Sequence, residues 1–284
     1  MEFENMINNV IEGDCMEKMK FIPNKSIDMI LCDLPYGYTQ NKWDDVIPLE
    51  ELWNEYKRII KDRGVIALTA QGIFAAELIW TGRKLFKYKI VWIKSKATNF
   101  LNAKKQPLRK HEDICIFYKE QPTFNPQMTE GVPYNKQRKD QSSSSYDTFK
   151  PVEVKSDGER YPIDLLLYDE EDEIDLTQDN EVNDWFYCKT AESEGKVHHP
   201  TQKPVELGKY LIRTYTKEND LILDNTCGSG SFLLAALLEK RRFIGIEKNV
   251  DIFHMDKNEE VDLIRICKLR LKNIDNSLFP ELNT

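Results

Sequence analysis

Asp33, Leu34, Pro35 and Tyr36 stand in consecutive positions ahead of Gly37. They bring a carboxylate and an aromatic ring to one turn. The proline stiffens the turn, and the ring can stack on a planar ligand. A second constellation runs Asp224-Asn225-Thr226-Cys227-Gly228-Ser229-Gly230. Its glycines let the backbone approach a ligand closely. Glu247, which ends the next apolar run, is placed to take ribose hydroxyls. A nicotinamide fingerprint needs a third glycine where Ser231-Phe232-Leu233 stands, and no phosphate-loop lysine follows. Each constellation has a bland alternative: Asp33 as a cap, Tyr36 as core, and the glycines as a tight turn without a ligand.

Two further stretches carry polar chemistry. His199-Pro200-Thr201-Gln202-Lys203-Pro204 brings a lysine close to the start of an amphipathic pattern. From Lys94 to Lys110 the charged residues are Lys94, Lys96, Lys104, Lys105, Arg109 and Lys110, with no acid among them. These six suit a phosphate backbone, or else form a solvated surface loop. Cys188, His198 and His199 fit no usual metal-site spacing, so no metal is expected.

The elements that must hold these residues are legible as apolar periods. Ser26 to Cys32 is a mostly apolar run of strand length, so it delivers Asp33 to a strand's carboxyl end. In open α/β sheets that edge binds ligands. Leu221 to Asp224 repeats the design, and further strands are expected at Asn8–Asp14, Val65–Thr69, Tyr88–Ile93, Asp113–Tyr118 and Phe243–Glu247. Helices are expected from Met16 to Met19, from Leu49 to Ile60 (stopped by Gly64) and from Phe74 to Leu85. Others are expected from Pro204 through Ile212, from Ser231 to Arg241 and around Val261 to Leu271. Strands alternating with helices predict a doubly wound, mostly parallel α/β sheet. The rhythm breaks between 120 and about 197, where Ser142–Ser145, prolines and Asp169-Glu170-Glu171-Asp172-Glu173 predict an inserted region of loops, partly mobile. The expected organisation is therefore 1–119, an insert at 120–197, and 198–284.

The chain has 284 residues, enough for one large domain with an insertion. Its six cysteines are dispersed and it has no run of about eighteen apolar residues. No signal-peptide pattern opens it, so a reduced, cytoplasmic protein without a membrane span is expected. A net charge of −8 argues against a general nucleic-acid coat, though one basic surface can still bind a polyanion.

In order, Gly13-Asp14-Cys15, Asp33 to Tyr36, Trp43-Asp44, Lys104 to Asp113, Asn125-Pro126-Gln127-Met128, His199 to Pro204, Asp224 to Gly230 and Glu247 resemble the DNA amino-methyltransferases. That family transfers a methyl group from S-adenosylmethionine to an exocyclic base nitrogen. The catalytic motif ahead of the cofactor loop resembles the permuted beta group. The Lys104–Asp113 and Asn125–Met128 stretches resemble bacterial and phage-type adenine methylases in particular. The likeness covers most of residues 6–135 and 185–248.

The resemblance implies a Rossmann-like fold, S-adenosylmethionine as cofactor and DNA as substrate, with the target base flipped out of the stack. Asp33 and the Leu34 carbonyl would accept the two amino hydrogens, while Pro35 and Tyr36 would hold and stack the base. Asp14 would meet the cofactor adenine, Glu247 its ribose, Lys203 the methionine carboxylate and Asp33 its ammonium. His199, Thr201, Asp224, Thr226, Gly228 and Gly230 complete the implied cofactor set, and the insert would recognise the target. A homodimer and a cognate restriction endonuclease are the further partners the resemblance admits. Two departures stand out: Leu34 replaces a common proline but keeps its carbonyl, and Thr226 replaces a common phenylalanine. Aspartate at position 33 favours adenine N6. Cytosine N4, an RNA adenine, a non-catalytic nucleic-acid-binding module and a nicotinamide oxidoreductase are the alternatives.

Overall fold

A computed structural model describes residues 1–38, 44–138, 141–143, 146–149, 152–167, 186–187, 191, 202–248, 252–254 and 259–278. The first half runs β1 (Asn9–Glu12), α1 (Cys15–Met19), β2 (Ile27–Asp33), α2 (Leu49–Ile59), β3 (Ile60–Ala70), α3 (Gly72–Thr81), β4 (Phe86–Thr98) and β5 (Arg109–Tyr118). Two short strands follow, β6 (Leu165–Leu167) and β7 (Phe186–Tyr187). The chain then forms α4 (Val205–Tyr215), β8 (Leu221–Asp224), α5 (Ser231–Leu238), β9 (Arg242–Glu247) and α6 (Leu263–Leu278).

These strands make one nine-stranded sheet in the order β1-β9-β8-β2-β3-β5-β4-β6-β7. Only β5 runs against its neighbours, pairing antiparallel with β3 and β4. Strand β2 lies at the centre with parallel partners on both sides, so its apolar run is buried on both faces. Met29 and Leu31 pack with residues of α4 and α5 such as Leu211 and Phe232. Ile30 and Cys32 pack with Leu52, Trp53 and Tyr56 of α2 and Leu78 of α3. Successive side chains of a strand point to opposite faces, and a helical layer covers each: the sheet is doubly wound.

The switch point lies between β8 and β2. From β8 the chain crosses to β9 on one side, and from β2 it crosses to β3 on the other. The connections leave the carboxyl ends of the two strands in opposite directions there, which is where an open sheet forms a crevice.

Some expectations are corrected. Gly64 does not stop a helix: α2 ends at Ile59 and passes directly into β3, which contains Gly64. A Cβ on Gly64 would lie 2.9 Å from the Asp28 carbonyl oxygen, so the glycine serves close strand approach. Helices α3 and α5 end earlier than expected, at Thr81 and Leu238, and α6 runs further, to Leu278. Within 120–197 short strands stand among the expected loops of the described residues. Tyr134–Arg138 pairs with Val152–Ser156, and Gln141–Ser143 pairs with Tyr146–Phe149. Strand β6 even joins the central sheet beside β4. Among the described residues no helix is long and apolar enough to cross a membrane.

Candidate active site

The two loops at the switch point line one cavity of about 760 Å³, with Asp33 to Tyr36 and Asp224 to Ser229 both in its wall. That size suits a small-molecule site. A direct bond ties the loops together, since Thr226 Oγ1 donates to the Asp33 carbonyl at 3.0 Å. Deeper in, Asn225 Oδ1 accepts from Tyr56 Oη at 2.6 Å and Cys32 Sγ at 2.9 Å, which anchors the end of β8 to β2 and α2.

The Asp33 carboxylate is held from three sides. Thr69 Oγ1, one strand away on β3, and Tyr36 Oη (3.0 Å) both donate to Oδ1. Lys203 Nζ donates to Oδ2 at 2.7 Å. The same ammonium lies 3.3 Å from Glu112 Oε2, and Lys94 Nζ donates to Glu112 Oε1 at 3.0 Å. Burial opposes the charge on Lys203, but Asp33 and Glu112 outweigh it and hold its pKa above the ordinary lysine value. Burial likewise opposes ionisation of Glu112, yet Lys203 and Lys94 depress its pKa. Burial and the negative charge of Asp33 push the Tyr36 phenol well up, so it remains a hydrogen donor to the carboxylate.

The Tyr36 ring is positioned from below and from its backbone. It stacks on Phe74 with centroids 5.0 Å apart. Asp44 Oδ1 accepts from both Tyr36 N and Gly37 N at 2.9 Å, so Asp44 anchors the turn. Trp43 lies outside the described residues.

At the glycine loop, Gly228 N donates to Glu247 Oε2 at 2.7 Å. Gly228 has φ +51°, and a Cβ added there would meet nothing within 4 Å, so its face toward the cavity is open backbone. Gly230 behaves differently: its φ is +82° and a Cβ would lie 2.2 Å from Cys267 Sγ on α6. It is absent from the cavity wall and packs against α6. Asp224 lines the cavity but is 2% exposed, and burial raises its pKa well above the carboxylate range. Asp14 lines the wall and caps α1 by accepting from Met16 N at 2.9 Å. His199 and Thr201 lie outside the described residues, as do the Asp169–Glu173 run, Cys188 and His198.

The six basic residues do not share one environment. Lys94 is buried in the ion-paired cluster, which corrects its expected place on a phosphate-facing surface. Lys96 and Arg109 line the cavity, while Lys104, Lys105 and Lys110 are exposed. Arg109 donates to Gln71 Oε1 at 3.1 Å and lies over the Tyr38 ring at 5.5 Å.

Thr69, Glu112 and Gln71 were given no role by the sequence. Glu112 sat inside a recognised stretch, whereas Thr69 and Gln71 had no local signal. The positions of Thr69 and Glu112 follow from strand register, as Asp33 pairs with Thr69 and Trp92 with Glu112. Asn125, in another recognised stretch, is a helix anchor: its Nδ2 donates to the Arg213 and Thr216 carbonyls at the end of α4.

An open α/β sheet with an acid-lined cavity at its switch point defines a protein that takes a small organic ligand there. The lining carboxylates disfavour a diphosphate and favour hydroxyl groups or a cation. The chain belongs to the N6/N4 DNA methylase family, whose profile matches residues 27–258. It is 27% identical over 276 residues to the type II methyltransferase M.HinfI of Haemophilus influenzae, covering 86% of this chain and 66% of that protein. It is 27% identical over 268 residues to the DNA adenine methyltransferase YhdJ of Escherichia coli K12, covering 89% and 82%. The chain thus spans just under two thirds of the first relative and most of the second. Among solved structures, the M1.HpyAVI–S-adenosylmethionine complex shares the fold with TM-score 0.55 and 20% identity, covering 93% of this chain and 98% of that one.

Proposed function

We propose that the protein methylates DNA at adenine N6, with S-adenosylmethionine as the methyl donor. One observation carries the reading: the Asp33–Tyr36 turn and the Gly228 loop share one cavity. The residues present fit the donor. The open backbone at Gly228 leaves room for close approach, and the carboxylates of Asp14 and Glu247 suit hydroxyl and amino groups. Bound there, the donor supplies an electrophilic methyl group on a sulfonium.

The chain's own residues do the rest. An adenine amino nitrogen is a poor nucleophile because its lone pair is delocalised into the ring. Asp33 and the Leu34 carbonyl accept its hydrogens, which localises the lone pair toward the methyl group. Tyr36, held by Phe74, Pro35 and Asp44, presents a flat face for the base, so orientation supplies part of the rate. Lys203, paired with Asp33 and Glu112, holds the Asp33 carboxylate in place. This assigns the lysine to the catalytic turn in addition to its expected contact with the donor's carboxylate. The base reaches the cavity by flipping out of the duplex.

Labelled transfer to unmethylated DNA followed by nucleoside analysis tests the reading. N6-methyladenine is expected from the wild type. Asp33→Ala is expected to lose at least roughly a hundredfold in rate, the scale of losing an oriented polar group at the reacting atoms. N4-methylcytosine as the sole product would overturn the adenine assignment, and the family embraces both products.

A further inference from the structure

The end of the β4–β5 hairpin is built unlike a solvated loop. Phe100 and Leu101 are 75% and 84% exposed and adjacent. Isolated exposed apolar residues are ordinary, but these two occupy a folded turn. Asn99 holds a left-handed conformation at φ +69°, and Asn102 Nδ2 donates to its Oδ1 at 2.7 Å. Main-chain bonds from Asn102 N to Asn99 O and from Ala103 N to Phe100 O close the turn. Thr98, Asn99 and Asn102 line the cavity, so the apolar pair stands at its rim. Around it are the exposed Lys96, Lys104, Lys105 and Lys110, and no acid occurs between positions 94 and 110.

We propose that Phe100 and Leu101 form a wedge that enters the base stack of duplex DNA beside the cavity, with the surrounding lysines on the flanking phosphates. The inference rests on DNA being the substrate. Apolar side chains inserted at a base step unstack it, and cations on both sides align the duplex. A stacked base must be extruded before it reaches Asp33, so a wedge at the rim supplies the unstacking where it is needed. The chain is acidic overall, which makes this acid-free basic stretch the surface that complements phosphate charge.

The double variant Phe100→Ala/Leu101→Ala tests the wedge, with Lys104→Ala/Lys105→Ala beside it. All four side chains are exposed, and unchanged melting temperatures are the folding control. Affinity is measured on a mixed-sequence duplex between 50 and 200 mM salt, and labelled methyl transfer on plasmid DNA, native and heat-denatured. The wedge variant is expected to lose roughly tenfold in duplex affinity, the scale of one lost base–aromatic contact, with an unchanged salt slope. Its transfer to denatured DNA is expected to fall less than about twofold, because no stack has to be opened. The lysine variant is expected to flatten the salt slope by about 2, near one unit per phosphate contact. Full duplex affinity in the wedge variant overturns the proposal, and so does an equal loss on native and denatured DNA. If the wild type labels neither DNA, the methyl-transfer reading fails, and the duplex affinities alone then decide the wedge.

Discussion

Lys203 sits between two carboxylates and Glu112 between two lysines, so the cluster of Asp33, Lys203, Glu112 and Lys94 is balanced in charge. Removing one member of such a buried set leaves an uncompensated charge, which costs more than the pair itself contributes. Glu112→Gln is expected to lower stability by about 3 kcal/mol at neutral pH. The sign with pH follows from the depressed Glu112 pKa. Its contribution is complete above its ordinary value of 4.5 and is lost as pH falls through the lower folded value. Lys203 behaves oppositely: its contribution holds below 10.5 and is lost as pH rises through its elevated value. Urea titrations of wild type and variant from pH 3 to 8 should therefore converge below about pH 4.5. A gap that stays constant down to pH 3 would show that the carboxylate charge contributes nothing.

At the scale of elements, β2 and β3 come close enough at Gly64 to exclude a side chain. A Cβ there would also lie 2.8 Å from Ile60 Cδ1. Gly64→Ala is expected to destabilise by about 1–3 kcal/mol through overpacking. The denaturation midpoint should move with the slope unchanged. An unmoved midpoint would mean that the strands separate at no cost. The same glycine shows what sequence periodicity leaves out. Apolar runs place β2, β8 and β9, and helical spacing places α2 and α4, because each pattern reports burial of a local face. Gly64 reads as a helix stop because its reason lies in another strand, at Asp28. Thr69 and Glu112 escape notice for the same cause: sheet register brings Thr69 to Asp33 and Glu112 to Lys203 over dozens of residues. The Asp33 turn and the glycine loop are legible because each is contiguous. Gly230 resembles Gly228 in sequence but faces α6, since only the packed helix decides which glycine is left with open space.

Across the whole molecule the cavity is assembled from both ends of the chain. Asp14, Asp33 and Tyr36 come from one half, and Lys203, Gly228 and Glu247 come from the other. A ligand spanning these walls binds the folded state alone, so it stabilises by mass action. At a hundredfold excess over its dissociation constant, S-adenosylmethionine should add about 2.7 kcal/mol. For a domain of this size that raises the melting temperature by roughly 5–10 °C. Glu247→Ala removes the acceptor that holds Gly228 N and, on the proposed reading, the acid for the ribose hydroxyls, so the shift at the same ligand concentration should shrink to a few degrees at most. Leu269→Ala, on the exposed side of α6, should keep the full shift. Because both chain halves line the cavity, the shift should appear as one cooperative transition moving as a unit. A wild-type transition that S-adenosylmethionine leaves in place, at a concentration that saturates related enzymes, would remove the donor from this cavity and the proposed reaction with it.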